Sequence, residues 1–124
     1  STLMPPGLDS IGVEVFNNVE DTVRDADVIM ALRLQKERQA SGLLPSLREY
    51  SMVFGIDKKR VSLAKKDVLI MHPGPINRGV ELTSDVADCD KSTINEQVTN
   101  GVAVRMALLY LLTRRREHED ALYS

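Results

Sequence analysis

Two short apolar runs, each closed by residues able to meet a charged ligand, restrict what this chain can become. Asp27-Val28-Ile29-Met30-Ala31-Leu32 leads directly into Arg33, and Asp67-Val68-Leu69-Ile70-Met71 leads directly into His72. Continuous apolar runs of this length read as strands buried on both faces of a parallel sheet, because a half-exposed strand would alternate. In such a sheet the strand C-termini share one edge, and ligands bind in the crevice beyond it. The pattern therefore predicts that the loops opening at Arg33 and His72 share a site.

The elements around these runs alternate. Ile11 to Phe16 has strand character, with Val13 and Val15 on one face. Asn17 and Asn18 supply cap chemistry for a short helix from Val19 to Ala26 with acids early in it. Gly42 and Pro45 interrupt the stretch after Lys36, which predicts a mobile loop and then a short helix around Ser46 to Ser51. Asp57 caps a helix over Lys58 to Lys66 whose Val61, Leu63 and Ala64 face inward. After the second run, prolines and glycines make 72–79 a loop. A short extended piece from Val80 to Thr83 precedes a turn over Ser84 to Lys91. A last helix begins at Ser92 or Thr93, with Glu96 early in it, and runs to about Arg116, weakened at Asn100-Gly101. This order argues an α/β fold with an open, doubly wound parallel sheet of the Rossmann-like kind and a long C-terminal helix.

That last helix carries apolar residues on nearly every side, from Val98 through Leu112. A helix apolar all round is buried on several sides. The remainder of the chain covers one face, and a further domain or partner is expected to cover another.

With 124 residues the chain is one domain long. A formal net charge of −2 gives no basic excess for nucleic acid, and Arg114-Arg115-Arg116 reads as a solvated helix end beside Glu117, Glu119 and Asp120. No apolar stretch approaches the roughly 20 residues needed to cross a membrane. One cysteine, Cys89, flanked by Asp88 and Asp90, forms no internal disulfide and is a poor nucleophile. Two histidines and one cysteine also argue against a metal site. The opening Ser1-Thr2-Leu3-Met4-Pro5-Pro6-Gly7 reads as a turn between elements, so a longer protein is expected.

Each candidate segment has two readings. In Arg33-Leu34-Gln35, an extended backbone turns Arg33 and Gln35 to the same side. A guanidinium fork beside an amide suits a small molecule bearing carboxylates; alternatively Arg33 pairs with a neighbouring acid. In His72-Pro73-Gly74-Pro75, two prolines fix the backbone while their carbonyls stay free to accept from a ligand's N–H groups. Gly74 permits close approach, and Gly74–Pro75 is a candidate cis bond. The alternative is a plain structural loop. His72 is either a base or a hydrogen-bonded structural residue, and Arg78 either binds substrate or pairs with Glu81.

Taken in order, Arg33-Leu34-Gln35-Lys36-Glu37-Arg38, His72-Pro73-Gly74-Pro75 with its Asn77-Arg78-Gly79-Val80-Glu81 continuation, and Asn100-Gly101 before Arg105-Met106-Ala107 resemble the transcarbamoylase family, in its aspartate-specific branch. The resemblance covers residues 1–124 as a C-terminal, aspartate-binding domain. It implies that Arg33 binds a carboxylate of L-aspartate, with Gln35 orienting the same loop or touching the substrate. Lys36, Glu37 and Arg38 would order that loop. The Pro73 and Gly74 carbonyls would accept from the amide of carbamoyl phosphate, with Pro75 shaping the turn. The implied reaction gives N-carbamoyl-L-aspartate and phosphate in pyrimidine synthesis, in the cytoplasm, without a cofactor.

The resemblance also places the phosphate-binding Ser-x-Arg-Thr-Arg segment, the family's catalytic histidine and the domain's first strand outside residues 1–124. It implies a homotrimer of intact chains, with room for a further pathway enzyme or a regulatory subunit. A rival reading is a non-catalytic α/β module that binds a protein through helix 98–112.

Overall fold

The computed structural model describes residues 7–34 and 46–122. Both apolar runs form strands: β1 spans Val28–Met30 and β2 spans Leu69–Met71. They pair in parallel with Ile29 opposite Ile70 and Met30 opposite Met71. Five α-helices accompany them among the described residues: α1 (Val19–Val23), α2 (Leu47–Phe54), α3 (Lys58–Val61), α4 (Ser84–Ala87) and α5 (Ile94–Leu122). The segment between the strands, which includes α2 and α3, makes the crossover that a parallel pair requires.

Local chemistry sets the helix starts. Asn18 Oδ1 accepts from the Glu20 N–H at 2.8 Å, Ser46 Oγ from Glu49 at 3.1 Å and Asp57 Oδ1 from Arg60 at 2.8 Å. Each satisfies a donor that a helix N-terminus leaves without an internal partner. The core gathers Val23 from α1, Ile29 and Ile70 from the strands, Val61 from α3, Val86 from α4 and Ile94 from α5. Arg60 staples this layer from the side. It donates to Glu20 Oε1 at 2.9 Å, to the Met52 carbonyl at 3.1 Å and to the Gly55 carbonyl. Its guanidinium holds the Glu20 carboxyl below the usual carboxylate range.

Several expectations need correction. Ile11–Phe16 is not a strand: Leu8–Ile11 is a 3-10 helix, and Gly12 takes a φ of 78°. Val13 donates back to Leu8, and Val13 and Val15 are exposed. Among the described residues no strand lies beside 13–16 to reward extension. β1 and β2 are each buried on one face, since Val28, Met30 and Leu69 are exposed while Ile29 and Ile70 are not. The described helices supply a core against one side of this sheet only.

Helix lengths differ too. α1 stops at Val23 because Asp25 enters the left-handed region at φ 56°, which aspartate tolerates better than most residues. α3 ends at Val61, where Leu63 and Ala64 donate three residues back and tighten the chain into turns. Ser84–Ala87 is a short helix rather than part of a turn, and 79–81 turn rather than extend, leaving only isolated bridges to Leu82. α5 continues past Gly101 and past the arginines to Leu122, since no glycine or proline follows them to stop it.

Beyond Ile94 and Gln97, α5 is largely uncovered. Val102, Val104, Met106 and Leu108–Leu112 are all exposed, so the described residues do not bury even one full face of it. Among the described residues no helix is long and apolar enough to cross a membrane.

Candidate functional site

Parallel pairing delivers both strand ends to one edge. Ala31 N donates to Met71 O at 3.0 Å, so the backbone leaving β1 still runs beside β2 where the loops begin. Beyond that point the loops are tied again: Asn77 Nδ2 donates to the Leu34 carbonyl at 3.3 Å. Arg33 thus sits one residue from a hydrogen bond to the loop that carries Pro73, Gly74 and Pro75. Arg33 is half-buried and engaged by its surroundings, and Leu34 points into the protein as expected. Gln35 and the ordering residues Lys36, Glu37 and Arg38 lie outside the described residues.

The 72–75 turn has the shape its sequence suggested. Gly74–Pro75 is cis, and Gly74 has a φ of 69°. Pro73 and Pro75 are exposed and Gly74 is half-buried. A side chain at Gly74 would be strained by that φ, and its Cβ would lie 3.2 Å from Val98 Cγ2 of α5. Gly74→Ala is therefore expected to lower stability by about 1–3 kcal/mol. Chemical denaturation checks this, and an unchanged midpoint would contradict it.

Beneath the turn the chain buries polar groups. His72 is 0% exposed and Glu81 3%. The His72 backbone N–H donates to Gln97 Oε1 of α5 at 2.8 Å, and His72 Nδ1 accepts from the Gly74 N–H at 2.9 Å. His72 Nε2 faces Glu81 Oε1 at 3.3 Å, and that same oxygen accepts from Asn77 N at 2.6 Å. Of the two readings of His72, this geometry favours the structural one, because its free lone pair is already occupied. Burial pushes the Tyr50 phenol pKa up, and the Glu81 charge adds to the shift.

On sequence grounds Arg78 pairs with Glu81 or with substrate. The structure does not pair it with Glu81: Arg78 grips Asp88 with two bonds, at 2.6 and 2.8 Å. Glu81 lies three residues after Arg78, a spacing that brings side chains together in a helix but not in a proline- and glycine-rich loop. Sequence reasoning also missed Asn77 as the tie between the loops, and Gln97. The only signal for either was a carboxamide near a strand end or early in a helix, which is too common to single out. A cavity of about 510 Å³ lies beside β1, with Val19, Met30, Leu32, Tyr50, Phe54 and Glu81 in its lining. Its walls are mainly apolar, which suits a charged, carboxylate-bearing molecule less well than the strand-end edge does.

Comparison with known proteins agrees in one direction. Residues 9–112 match the family model described as aspartate/ornithine carbamoyltransferase, Asp/Orn binding domain. The aspartate carbamoyltransferase catalytic subunit of Acetivibrio thermocellus is 70% identical over 97% of this chain, which spans 38% of that relative. The Ruminiclostridium cellulolyticum subunit of the same description is 63% identical over 93% of this chain and 37% of its own length. The chain thus spans little more than a third of such relatives.

Among solved structures, aspartate transcarbamoylase from Trypanosoma cruzi, in complex with carbamoyl aspartate and phosphate, superposes with a TM-score of 0.59 at 32% identity. The match covers 73% of this chain and 27% of that one. Ornithine carbamoyltransferase from Pyrococcus furiosus superposes at 0.61 with 30% identity, covering 74% and 29%.

Proposed function

The chain belongs to the aspartate/ornithine carbamoyltransferase family, as its Asp/Orn-binding domain, and from that premise we propose that it is the aspartate-binding half of an aspartate carbamoyltransferase. The observation that carries this reading is the juxtaposition of the two strand-end loops, joined by the Asn77–Leu34 hydrogen bond within the matched segment. The choice of aspartate over ornithine rests on the curated relatives, which at 54% to 70% identity are described as aspartate enzymes.

In this reading Arg33 binds a carboxylate of L-aspartate through its planar fork, and Gln35 orients the same loop or touches the substrate. The Pro73 and Gly74 carbonyls accept from the carbamoyl amide, with Pro75 shaping the turn. The aspartate amine attacks the carbonyl carbon of carbamoyl phosphate and forms a C–N bond. The bond from that carbon to the phosphate oxygen breaks, and the proton lost by the amine ends on the departing phosphate. N-carbamoyl-L-aspartate and phosphate leave. Positioning and charge stabilisation carry the rate, with no covalent intermediate and no cofactor.

The proposal extends to the intact polypeptide. Its remaining part binds the phosphate and covers the apolar face of α5. Intact chains assemble as homotrimers in the cytoplasm and serve pyrimidine synthesis, with a regulatory subunit or a further pathway enzyme as candidate partners. The exposed residues of α5 also favour the rival, a module that docks a protein and does no chemistry.

Assay of the intact polypeptide separates the two. It should carbamoylate aspartate and leave ornithine untouched, while residues 1–124 alone give no turnover. Preference for ornithine, or no transfer by the intact polypeptide, would overturn the proposal.

A further inference from the structure

His72 follows β2 directly and is completely buried. An imidazole taken out of water costs free energy unless its nitrogens find partners. A neutral ring has one donor and one acceptor. Nδ1 is the acceptor here, since the Gly74 N–H points at it from 2.9 Å. In a neutral ring the proton is then on Nε2, which lies 3.3 Å from Glu81 Oε1 without forming a hydrogen bond to it.

The same hydrogen bond orients the turn. In a trans peptide the C=O and N–H point to opposite sides of the chain. The Pro73–Gly74 peptide is trans, and its N–H is directed inward onto His72. Its carbonyl, which belongs to Pro73, is then directed outward.

We propose that His72 is a positioning residue: by accepting the Gly74 N–H at Nδ1, it aims the Pro73 carbonyl at the carbamoyl group. This rests on the function proposed above. Gln97 holds the His72 backbone from α5 at 2.8 Å. Glu81 faces the other ring nitrogen and also takes the Asn77 N–H at 2.6 Å. Asn77 in turn holds the Leu34 carbonyl at 3.3 Å, beside Arg33. Hydrogen bonds thus join α5 to the His72 backbone and the imidazole to the 72–75 turn, while a separate set runs from Glu81 through Asn77 to the loop after β1, so an error in the imidazole falls first on the turn. His72 itself touches no substrate.

Two substitutions in the intact polypeptide distinguish where the acceptor must be. Asparagine can place its carboxamide oxygen near the Nδ1 position but stops short of Glu81, whereas glutamine carries its amide out to the Nε2 position, within reach of Glu81 but away from the Gly74 N–H. His72→Asn should retain kcat for carbamoyl transfer within about threefold, and His72→Gln should lose about 10- to 100-fold, the scale expected for a misdirected binding group.

Affinity for inorganic phosphate should be unchanged in both, because that subsite lies elsewhere. Equal loss in the two variants, or greater activity in the glutamine variant, would overturn the proposal. The unsubstituted protein gives an independent readout: its 15N spectrum should show His72 unprotonated at Nδ1 and protonated at Nε2, and the opposite tautomer would overturn the proposal even if neither variant folds. Failure of the unsubstituted polypeptide to transfer carbamoyl to aspartate would instead refute the functional reading itself.

Discussion

Replacing Arg33 by alanine in the intact polypeptide is expected to lower kcat/KM for aspartate about 100- to 1,000-fold, a loss of about 3–4 kcal/mol. The size follows from the chemistry. A guanidinium meets a carboxylate through two charge-assisted bonds, and removing one partner leaves the other's charge without compensation. Carbamoyl phosphate binding should change little, since its phosphate is held elsewhere. Arg33→Lys keeps the charge but not the fork, and should still lose at least about tenfold. Steady-state kinetics with each substrate varied in turn make the check. Normal aspartate dependence in the alanine variant would remove Arg33 from the site.

The second large effect concerns the strand that carries the 72–75 turn. Ile70 is fully buried in the centre of β2, opposite Ile29. Its N–H donates to Lys91 O and its carbonyl accepts from Thr93 N, both at 2.9 Å, so it also seats the start of α5. Ile70→Ala should destabilise by about 3–4 kcal/mol, from lost burial and the cavity left behind, while Ile70→Val should cost about 1 kcal/mol. Denaturant unfolding of the intact polypeptide measures both. Because the turn and α5 hang from this strand, the alanine variant should also lose hydrogen-exchange protection at Gly74 and Gln97 first. A loss below about 1 kcal/mol would mean that the core does not centre on β2.

What the sequence disclosed depended on whether a signal was local. The strand cores at Val28–Met30 and Leu69–Met71 were legible because short apolar runs between polar residues have few alternatives, and the caps at Asn18 and Asp57 because capping acts over three residues. Ile11–Phe16 misled for the same reason: its alternation is a local signal, whereas a strand exists only beside a partner. The one-sided burial of β1 and β2 was not legible either, since it depends on which elements surround the sheet.

At the site, the positions of Arg33 and Pro73–Pro75 at one edge came from strand order alone. Asn77's tie to Leu34 and Arg78's grip on Asp88 join residues 43 and 10 positions apart through loop geometry, which no periodicity encodes. Glu81 is the clearest example: between Val80 and Leu82 it has the look of a solvent-facing acid, and the turn at 79–81 drives it inward onto His72.

The excess of apolar residues on α5 marked a surface needing cover, yet the described chain covers less of it than expected. Under the proposed function that surface faces the part of the polypeptide that binds phosphate.

A crystal structure of the intact polypeptide with a compound joining a carbamoyl mimic to aspartate would test the central claim most directly. The proposed function predicts a carboxylate of the ligand on the Arg33 guanidinium and its amide N–H within hydrogen-bond distance of the Pro73 carbonyl. A ligand lodged in the apolar cavity beside β1 or along α5, with both loops empty, would contradict it.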